Sequence, residues 1–326
     1  MPSSHLPKTV RRFLQASALL FNFFQLTFTV VRYKPKLVLL DSYCEYLAPF
    51  WSWAMLLSLR VTGAVCAVNL HDPVRNFQVG PAWWHAFSVR CGYAFVSLAL
   101  VHSPVPAAAA IPSHVRVIEV PVGIYDMPPA RQNREIIRAT WGAKPEQTVF
   151  LAFGFLRDNK NLDLLVRALV KVPGAFLVMA GRPQAKVDRP MAFYEELAKE
   201  VGVRDRCHFF SGFVADEDVG DFFFSSDVVT LTYSRDFHSQ SGVLNLAAAA
   251  RKPVLASGAP GPLVAAVERF DLGQVIEPDS LPAVTEGMQR LITSPPVPKW
   301  MDYGEYAGWE RNVHELLTAA GQTTTL

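Results

Sequence analysis

The chain has 326 residues, half of them hydrophobic and 18% charged, with a formal net charge of +2. That length exceeds one ordinary domain and suggests two of roughly 150 residues each, with ample apolar side chains for two cores. The near-neutral charge gives no case for nucleic acid as a partner, and the four cysteines, Cys44, Cys66, Cys91 and Cys207, contain no CxxC pair, which argues against a zinc site or a disulfide framework.

Reduced thiols in a cytoplasmic protein are the expected state, while a mean hydropathy of +0.17 points to membrane contact. At the N-terminus Lys8, Arg11 and Arg12 precede a stretch without charge that ends at Arg32. The stretch lies near the lower end of the roughly 17–25 residues that cross a bilayer. The leading cations suit a signal sequence or a positive-inside anchor. Against both, no small-residue cleavage site follows, and Gln15, Asn22, Gln25 and Thr29 recur at helical spacing as one polar stripe. Such a stripe favours a helix packed on protein or lying at a membrane surface.

Strand and helix signals then alternate, which predicts an α/β fold with parallel sheets. Residues 36–41, 63–69 and 95–101 read as short buried strands, with a helix over 46–59. His71-Asp72-Pro73 and His102-Ser103-Pro104 follow the second and third strands. A fourth strand, 115–120, leads into Pro121-Val-Gly-Ile-Tyr125. The polar, arginine-rich residues 127–147 read as an inter-domain connection with a short helix. A second series follows: strand 148–153, a turn at Gly154, helix 162–170, and strand 175–180 ending at Gly181-Arg182. Helix 193–201, strand 208–210, helix 216–224 and strand 227–232 complete it. Ser241-Gly242 then opens an alanine-rich helix, and a buried strand begins after Lys252-Pro253. The tail is proline-rich over 295–298 and helical over 309–320.

Ligands of open α/β sheets gather at the carboxyl ends of the strands. Gly154-Phe-Leu-Arg-Asp-Asn-Lys-Asn161 therefore places Arg157 and Lys160 in a loop that starts a helix. Two cations beside a helix N-terminus suit a diphosphate, since charge and dipole act together; two solvated surface cations are the other reading. The small-residue turn Ser239–Gly242 leaves backbone N–H groups at a helix start and lets an anion come close. Both loops belong to one edge of the second sheet. Tyr46, Trp51, Trp53, Trp83 and Trp84 are core or interface residues, or else stack on sugar rings.

Gly154-x-x-Arg157-x-x-Lys160-Asn161 followed by Leu162-Asp-Leu-Leu-Val-Arg-Ala168, and then Ser241-Gly-x-Leu-x-x-Ala with Lys252-Pro-Val254, resembles the donor half of a GT-B-fold glycosyltransferase. The similarity is to the family 4 group, including members that extend exopolysaccharide or lipid-linked glycans. Gly212-Phe-Val-Ala-Asp-Glu-Asp218, Ser226-Asp-Val-Val229, Leu272-Gly-Gln-Val-Ile-Glu-Pro-Asp279 and Tyr306-Ala-Gly-Trp-Glu-Arg-Asn312 support it. It covers residues 148–320 well and 36–126 more loosely. The resemblance implies two Rossmann-like domains with a cleft between them: an acceptor-side domain over 1–135, shortened and led by the apolar helix, and a donor domain over 145–300. Residues 301–326 would form a helix returning toward the first domain.

It also implies roles. Arg157 and Lys160 bind the donor diphosphate and stabilise the leaving group, with Gly154, Ser239, Ser241 and Gly242 around the same phosphates. Gly181 and Arg182 line the nucleotide base pocket. His71 matches a histidine near the transferred sugar, with Asp72 beside it; from the residues alone, His71 is equally an Asp72-linked turn histidine. The reaction implied is retaining transfer from a nucleotide-diphosphate sugar to a glycan or lipid-linked acceptor. No metal or cofactor is expected, since no Asp-x-Asp pair is read as holding a divalent ion, which fits a metal-independent GT-B site. The location implied is the cytoplasm, peripheral to the inner face of the membrane.

Two departures from the family pattern stand out. His238 and Leu246 hold the places of two glutamates spaced eight positions apart, the second of which normally holds the ribose. The usual first strand with its glycine-rich loop is replaced by the apolar helix, so the first clear strand comes at Lys36. These departures keep two other readings open: a non-catalytic GT-B partner subunit, and a sugar-nucleotide epimerase.

Overall fold

The computed structural model describes residues 7–41, 45–70, 78, 80–105, 109 and 111–323. The chain divides into two compact units. One runs up to Val120 and takes in the stretch from Asn312; the other is Pro121–Arg311.

The first unit contains α1 (Lys8–Tyr33), β1 (Leu37–Leu40), α2 (Ala48–Thr62), β2 (Val65–Leu70), α3 (Ala82–Tyr93), β3 (Leu98–Val101) and β4 (Arg116–Glu119). The four strands are parallel, in the order β1-β2-β3-β4. Alternate side chains of a strand face opposite sides of the sheet. Cys66, Val68 and Leu70 of β2 accordingly join the core under α2, with Ala48, Trp51, Met55 and Leu59. Val65 and Ala67 face the other way and meet Leu316, Ala319 and Ala320 of the C-terminal stretch. Because both of their faces are covered, the central strands β2 and β3 read as near-continuous apolar runs, whereas the edge strand β4 is largely exposed.

Helix α1 lies on α2. Phe23 stacks on Trp51 with ring centroids 3.5 Å apart and planes 5° from parallel, and Val30 is buried. The inward positions 16, 19, 20, 23, 26, 27 and 30 form one helical stripe. Gln15, Asn22, Gln25 and Thr29 are exposed, beside that stripe rather than in it.

The second unit contains α4 (Arg134–Trp141), β5 (Thr148–Phe153), α5 (Leu162–Ala168), β6 (Ala175–Gly181), α6 (Met191–Glu200), β7 (Cys207–Ser211) and α7 (Asp216–Ser225). It continues with β8 (Val228–Thr232), α8 (Gly242–Ala249), β9 (Val254–Ser257), α9 (Pro262–Arg269), β10 (Gly273–Val275), α10 (Leu281–Thr293) and α11 (Trp300–Tyr306). Helix α12 (Trp309–Thr323) begins there and ends in the first unit. Helices α3, α9, α10 and α11 are not among those expected from the sequence and emerge only here.

The six strands are parallel, in the order β10-β9-β8-β5-β6-β7. Val149 and Leu151 of β5 bury against α7, α8 and α9, whereas Phe150 and Ala152 bury against α5, α6 and α10. The chain builds β5, β6 and β7 toward one edge, then returns to place β8 on the other side of β5. This reversal creates a switch point between β5 and β8, where the connections from their carboxyl ends lead to helices on opposite faces of the sheet and leave a crevice.

Candidate active site

The loops after β5 and β8 meet at that switch point. After β5 the chain turns at Gly154, with φ +89, and the Gly154 N–H donates to the Ala180 carbonyl at 2.9 Å. Leu156 is buried and anchors the loop, leaving Arg157 and a single 3-10 turn, Asp158–Lys160, above the strand ends. The end of β8 and the loop after it are tied to that loop by two direct contacts, and Asp279 in the loop after β10 bridges the two. The Thr232 hydroxyl donates to the Lys160 carbonyl at 2.9 Å, the Ser234 N–H donates to the Asn159 carbonyl at 2.8 Å, and Asn161 Nδ2 donates to Asp279 Oδ1 at 2.9 Å. The other Asp279 oxygen accepts from Arg235 N at 3.1 Å and Nε at 2.9 Å.

A methyl group placed on Gly154 would lie 3.8 Å from Lys160 Nζ and 3.9 Å from a methyl of Val243. Gly154, the Lys160 ammonium and the first turn of α8 therefore border the same space. Lys160 Nζ donates to the Phe153 carbonyl at 2.9 Å. Burial, and then the neighbouring Arg157 guanidinium, pull its pKa down to about 8. Arg157 Nε is buried without a hydrogen-bond partner among the described residues, and none of their carboxylates pairs with either cation. Two adjacent cations without a counter-ion, one holding an unused donor, form a site for an anion.

The start of α8 adds to that field. No side chain caps this helix. Ser241, the residue before it, is only 3% exposed, and its hydroxyl is 2.9 Å from the Tyr233 hydroxyl. The turn therefore presents backbone N–H groups and the positive end of the helix dipole rather than the serine hydroxyl. A methyl on Gly242 would lie 3.3 Å from the Tyr125 hydroxyl, so Tyr125 borders the same turn. Tyr233 also stacks on Phe237 with centroids 3.8 Å apart, and its carbonyl accepts from Ser257 Oγ at 2.8 Å, fixing the loop that leads to α8.

A second feature adjoins Gly154 on the β6 side. A cavity of about 130 Å³ is lined by Phe153–Phe155, Ala180–Arg182 and Gly212–Val214. The Arg182 guanidinium sits 5.9 Å from the Phe155 ring centroid and 5.6 Å from that of Phe213. A planar cation between two exposed rings makes an apolar slot with a polar edge, suited to a flat heteroaromatic group.

The structure thus gathers Gly154, Arg157, Lys160, Ser241 and Gly242 around one crevice, with Gly181 and Arg182 in the adjoining slot. Ser239 is exposed in the loop before α8. His71 and Asp72 lie outside the described residues, as does Cys44. Leu246, on α8, is half-buried against the core and offers no polar group, and His238 is exposed. Among the described residues no group of three or more His, Cys, Asp or Glu side chains is placed to hold a metal. Sequence reasoning overlooked Phe155, Phe213, Tyr125 and Tyr233. The first two immediately follow a glycine at the end of a strand, a position that could have found them; Tyr125 and Tyr233 reach the turn through tertiary packing alone.

The family model described as "Glycosyl transferases group 1" matches residues 133–308. Among characterised proteins, the chain is 28% identical over 218 residues to the lipopolysaccharide glucosyltransferase WaaG of Escherichia coli (strain K12), a match covering 63% of this chain and 55% of that one. It is 26% identical over 183 residues to the D-inositol 3-phosphate glycosyltransferase of Mycobacterium marinum, covering 55% of this chain and 38% of the relative. The chain thus spans about half the length, or less, of these relatives. Among solved structures, Anabaena HepE in complex with UDP superposes with a TM-score of 0.68 at 16% identity, over 93% of this chain and 82% of that one. Sucrose-phosphate synthase from Thermosynechococcus elongatus gives 0.65 at 17% identity, over 100% and 82%. At these identities the likeness is one of fold, the GT-B fold with its Rossmann-like α/β units.

Proposed function

The chain belongs to the glycosyl transferases group 1 family, and from that premise we propose that it is a retaining, metal-independent glycosyltransferase. It moves a sugar from a nucleotide-diphosphate donor to a glycan or glycolipid acceptor. The observation that carries this reading is the pair of uncompensated cations, Arg157 and Lys160, facing the start of α8 across Gly154.

The donor diphosphate lies between Arg157, Lys160 and the backbone N–H groups at Gly242, and its base enters the slot of Arg182, Phe155 and Phe213. As the bond from the anomeric carbon to the phosphate oxygen breaks, negative charge grows on the departing diphosphate. Fixed cations and a helix dipole already aimed there lower the barrier without reorganising. The sugar passes through an oxocarbenium-like state, and the acceptor hydroxyl attacks from the face the diphosphate leaves, retaining configuration. Positioning supplies the rest. No covalent nucleophile is required, and the two cations take the place a divalent ion would fill. His71 and Asp72 are assigned to the transferred sugar. Residues 1–135 serve the acceptor, 145–300 hold the donor, and 301–326 return toward the acceptor side.

The names of the relatives support a saccharide acceptor, since one denotes glucosyl transfer in lipopolysaccharide, and the UDP complex of HepE supports a uridine donor. The protein acts in the cytoplasm, peripheral to the inner face of the membrane. Titration calorimetry with UDP and GDP tests the donor half. One nucleotide should bind to the intact protein, and Arg157→Ala with Lys160→Ala should abolish that binding; unchanged binding would sink the assignment.

Leu246 favours a second reading, a non-catalytic subunit that keeps the fold, because a leucine side chain has no polar group with which to hold a ribose. Sugar-nucleotide turnover that disappears in Arg157→Ala would remove this alternative.

A further inference from the structure

Helix α1 has three faces. One is packed on α2, one carries Gln15, Asn22, Gln25 and Thr29, and the third is aromatic and outward. Phe13, Phe21 and Phe28 on this third face are 71%, 67% and 66% exposed. Residues Thr9–Tyr33 are long and apolar enough to cross a bilayer, with a mean hydropathy of 1.4, yet only 6% of that window is buried. A helix serving only as core would hide those rings.

The aromatic face does not stop at α1. Phe24 meets Trp53 of α2 edge-on, with centroids 6.5 Å apart. One turn earlier on α2, Phe50 lies 5.9 Å from Trp84 of α3, and Trp84 in turn touches Trp83 at 5.8 Å. Trp53 and Trp83 are 60% and 69% exposed. Exposed rings from three helices therefore form one continuous surface, larger than the scattered apolar residues normal on a protein exterior. Tryptophan and phenylalanine at this density suit the boundary between headgroups and acyl chains, where one side of a ring is apolar and the other wet.

Charge selects the occupant. The first unit carries ten lysines and arginines against five acidic residues, Asp41, Glu45, Asp72, Glu119 and Glu315, whereas Pro121–Arg311 carries 21 against 24. The near-neutral whole thus conceals a basic first unit, and the bias is concentrated at its start, where no acidic residue precedes Asp41. Arg11 and Arg12 lie near one end of α1, and Arg32, Lys34 and Lys36 lie at or just beyond the other. A second protein copy would bring the same sign against itself; an anionic lipid surface complements it.

We propose that the outward face of α1, α2 and α3 docks flat on an anionic bilayer, with its phenylalanine and tryptophan rings at the headgroup boundary and the cations of α1 on the phosphates. The surface belongs to the first unit alone and does not depend on the donor site.

Flotation of the full chain with vesicles tests this, using phosphatidylcholine alone and phosphatidylcholine with about 30% phosphatidylglycerol. The expected result is recovery with the anionic vesicles, weak recovery with the neutral ones, and release by high salt. The variant Phe13→Ser, Phe21→Ser, Phe28→Ser should lose on the order of tenfold in partitioning, while its circular dichroism and its UDP affinity stay those of the parent. Protein that remains unbound at low salt overturns the proposal, as does binding that ignores lipid charge. So does a dimer, seen by light scattering, that the triple variant dissolves, which would assign the face to a second copy.

Discussion

The Thr232 hydroxyl donates a hydrogen bond to the Lys160 carbonyl at 2.9 Å, joining the end of β8 to the cationic loop that follows β5. These residues are 72 positions apart, and the Thr232 side of the bond is buried, at 2% exposed. Replacing Thr232 by Val keeps the shape and removes the donor. The expected cost is about 1–2 kcal/mol in urea unfolding, with UDP affinity falling several-fold because the loop loses its tether. Full stability together with full affinity in Thr232→Val would show that the tether is idle.

Lys160 makes donor binding sensitive to pH. Its pKa is lowered from 10.5 to about 8, first by burial and then by Arg157. Between those two values the unfolded chain binds the proton and the folded one does not. Stability of the ligand-free protein from this residue therefore rises as pH goes from about 8 to 10.5. Lys252, lowered to about 8 chiefly by burial, acts in the same direction. Diphosphate binding runs the opposite way, since the anion needs the ammonium form. Affinity for UDP should fall above about pH 8, approaching tenfold per pH unit. Calorimetry across that range checks it, and a flat profile would remove Lys160 from the site.

Phe213→Ala separates the base slot from the phosphate site. Losing one wall of the slot should weaken UDP by about 1–2 kcal/mol, while inorganic pyrophosphate, which has no base, should bind as before. A variant that weakens both ligands equally would contradict the division.

Gly181 is fixed by a neighbour rather than by a turn. A methyl there would lie 1.8 Å from the Gly154 carbonyl oxygen, a backbone atom that cannot move without opening the β5–β6 edge. Gly181→Ala is expected to cost about 3 kcal/mol or more, seen as a large fall in Tm. A near-normal Tm would mean that the loop can reposition.

Tyr303 donates to Asn245 Oδ1 at 2.7 Å, and Asn245 Nδ2 donates to the Val122 carbonyl at 3.1 Å, a chain buried beneath α8. Tyr303→Phe leaves the asparagine oxygen unpaired at a cost of about 1–3 kcal/mol. Donor affinity should hold, because no atom of the chain faces the crevice. An affinity loss larger than the stability loss would place Tyr303 nearer to the chemistry.

The elements legible in the sequence were those whose period or composition was local. Strand 148–153 and the turn at Gly154 stood out because a continuous apolar run ends at a glycine, and the opening of α8 stood out through Ser241-Gly242. Helix α3 did not, because its tryptophans face outward and blur the apolar stripe on which periodicity depends. The polar stripe of α1 was visible, but two apolar faces flank it, and a sequence cannot tell which of them meets protein. Packing decided that Phe23 goes in, against Trp51, while Phe21 and Phe28 stay out.

By itself, the sequence determined the α/β alternation, the residue types of the two loops and the basic bias of the residues before Asp41, since each of these is written in neighbouring residues. Only the tertiary structure decided that β8, rather than β6 or β7, lies beside β5 on the side toward β9 and β10. Parallel strands pair across long connections, and the pairing that buries both faces of the sheet most completely has no local signature. Strand order is what brings Lys160 to the start of α8, turning two ordinary loops into one anion site.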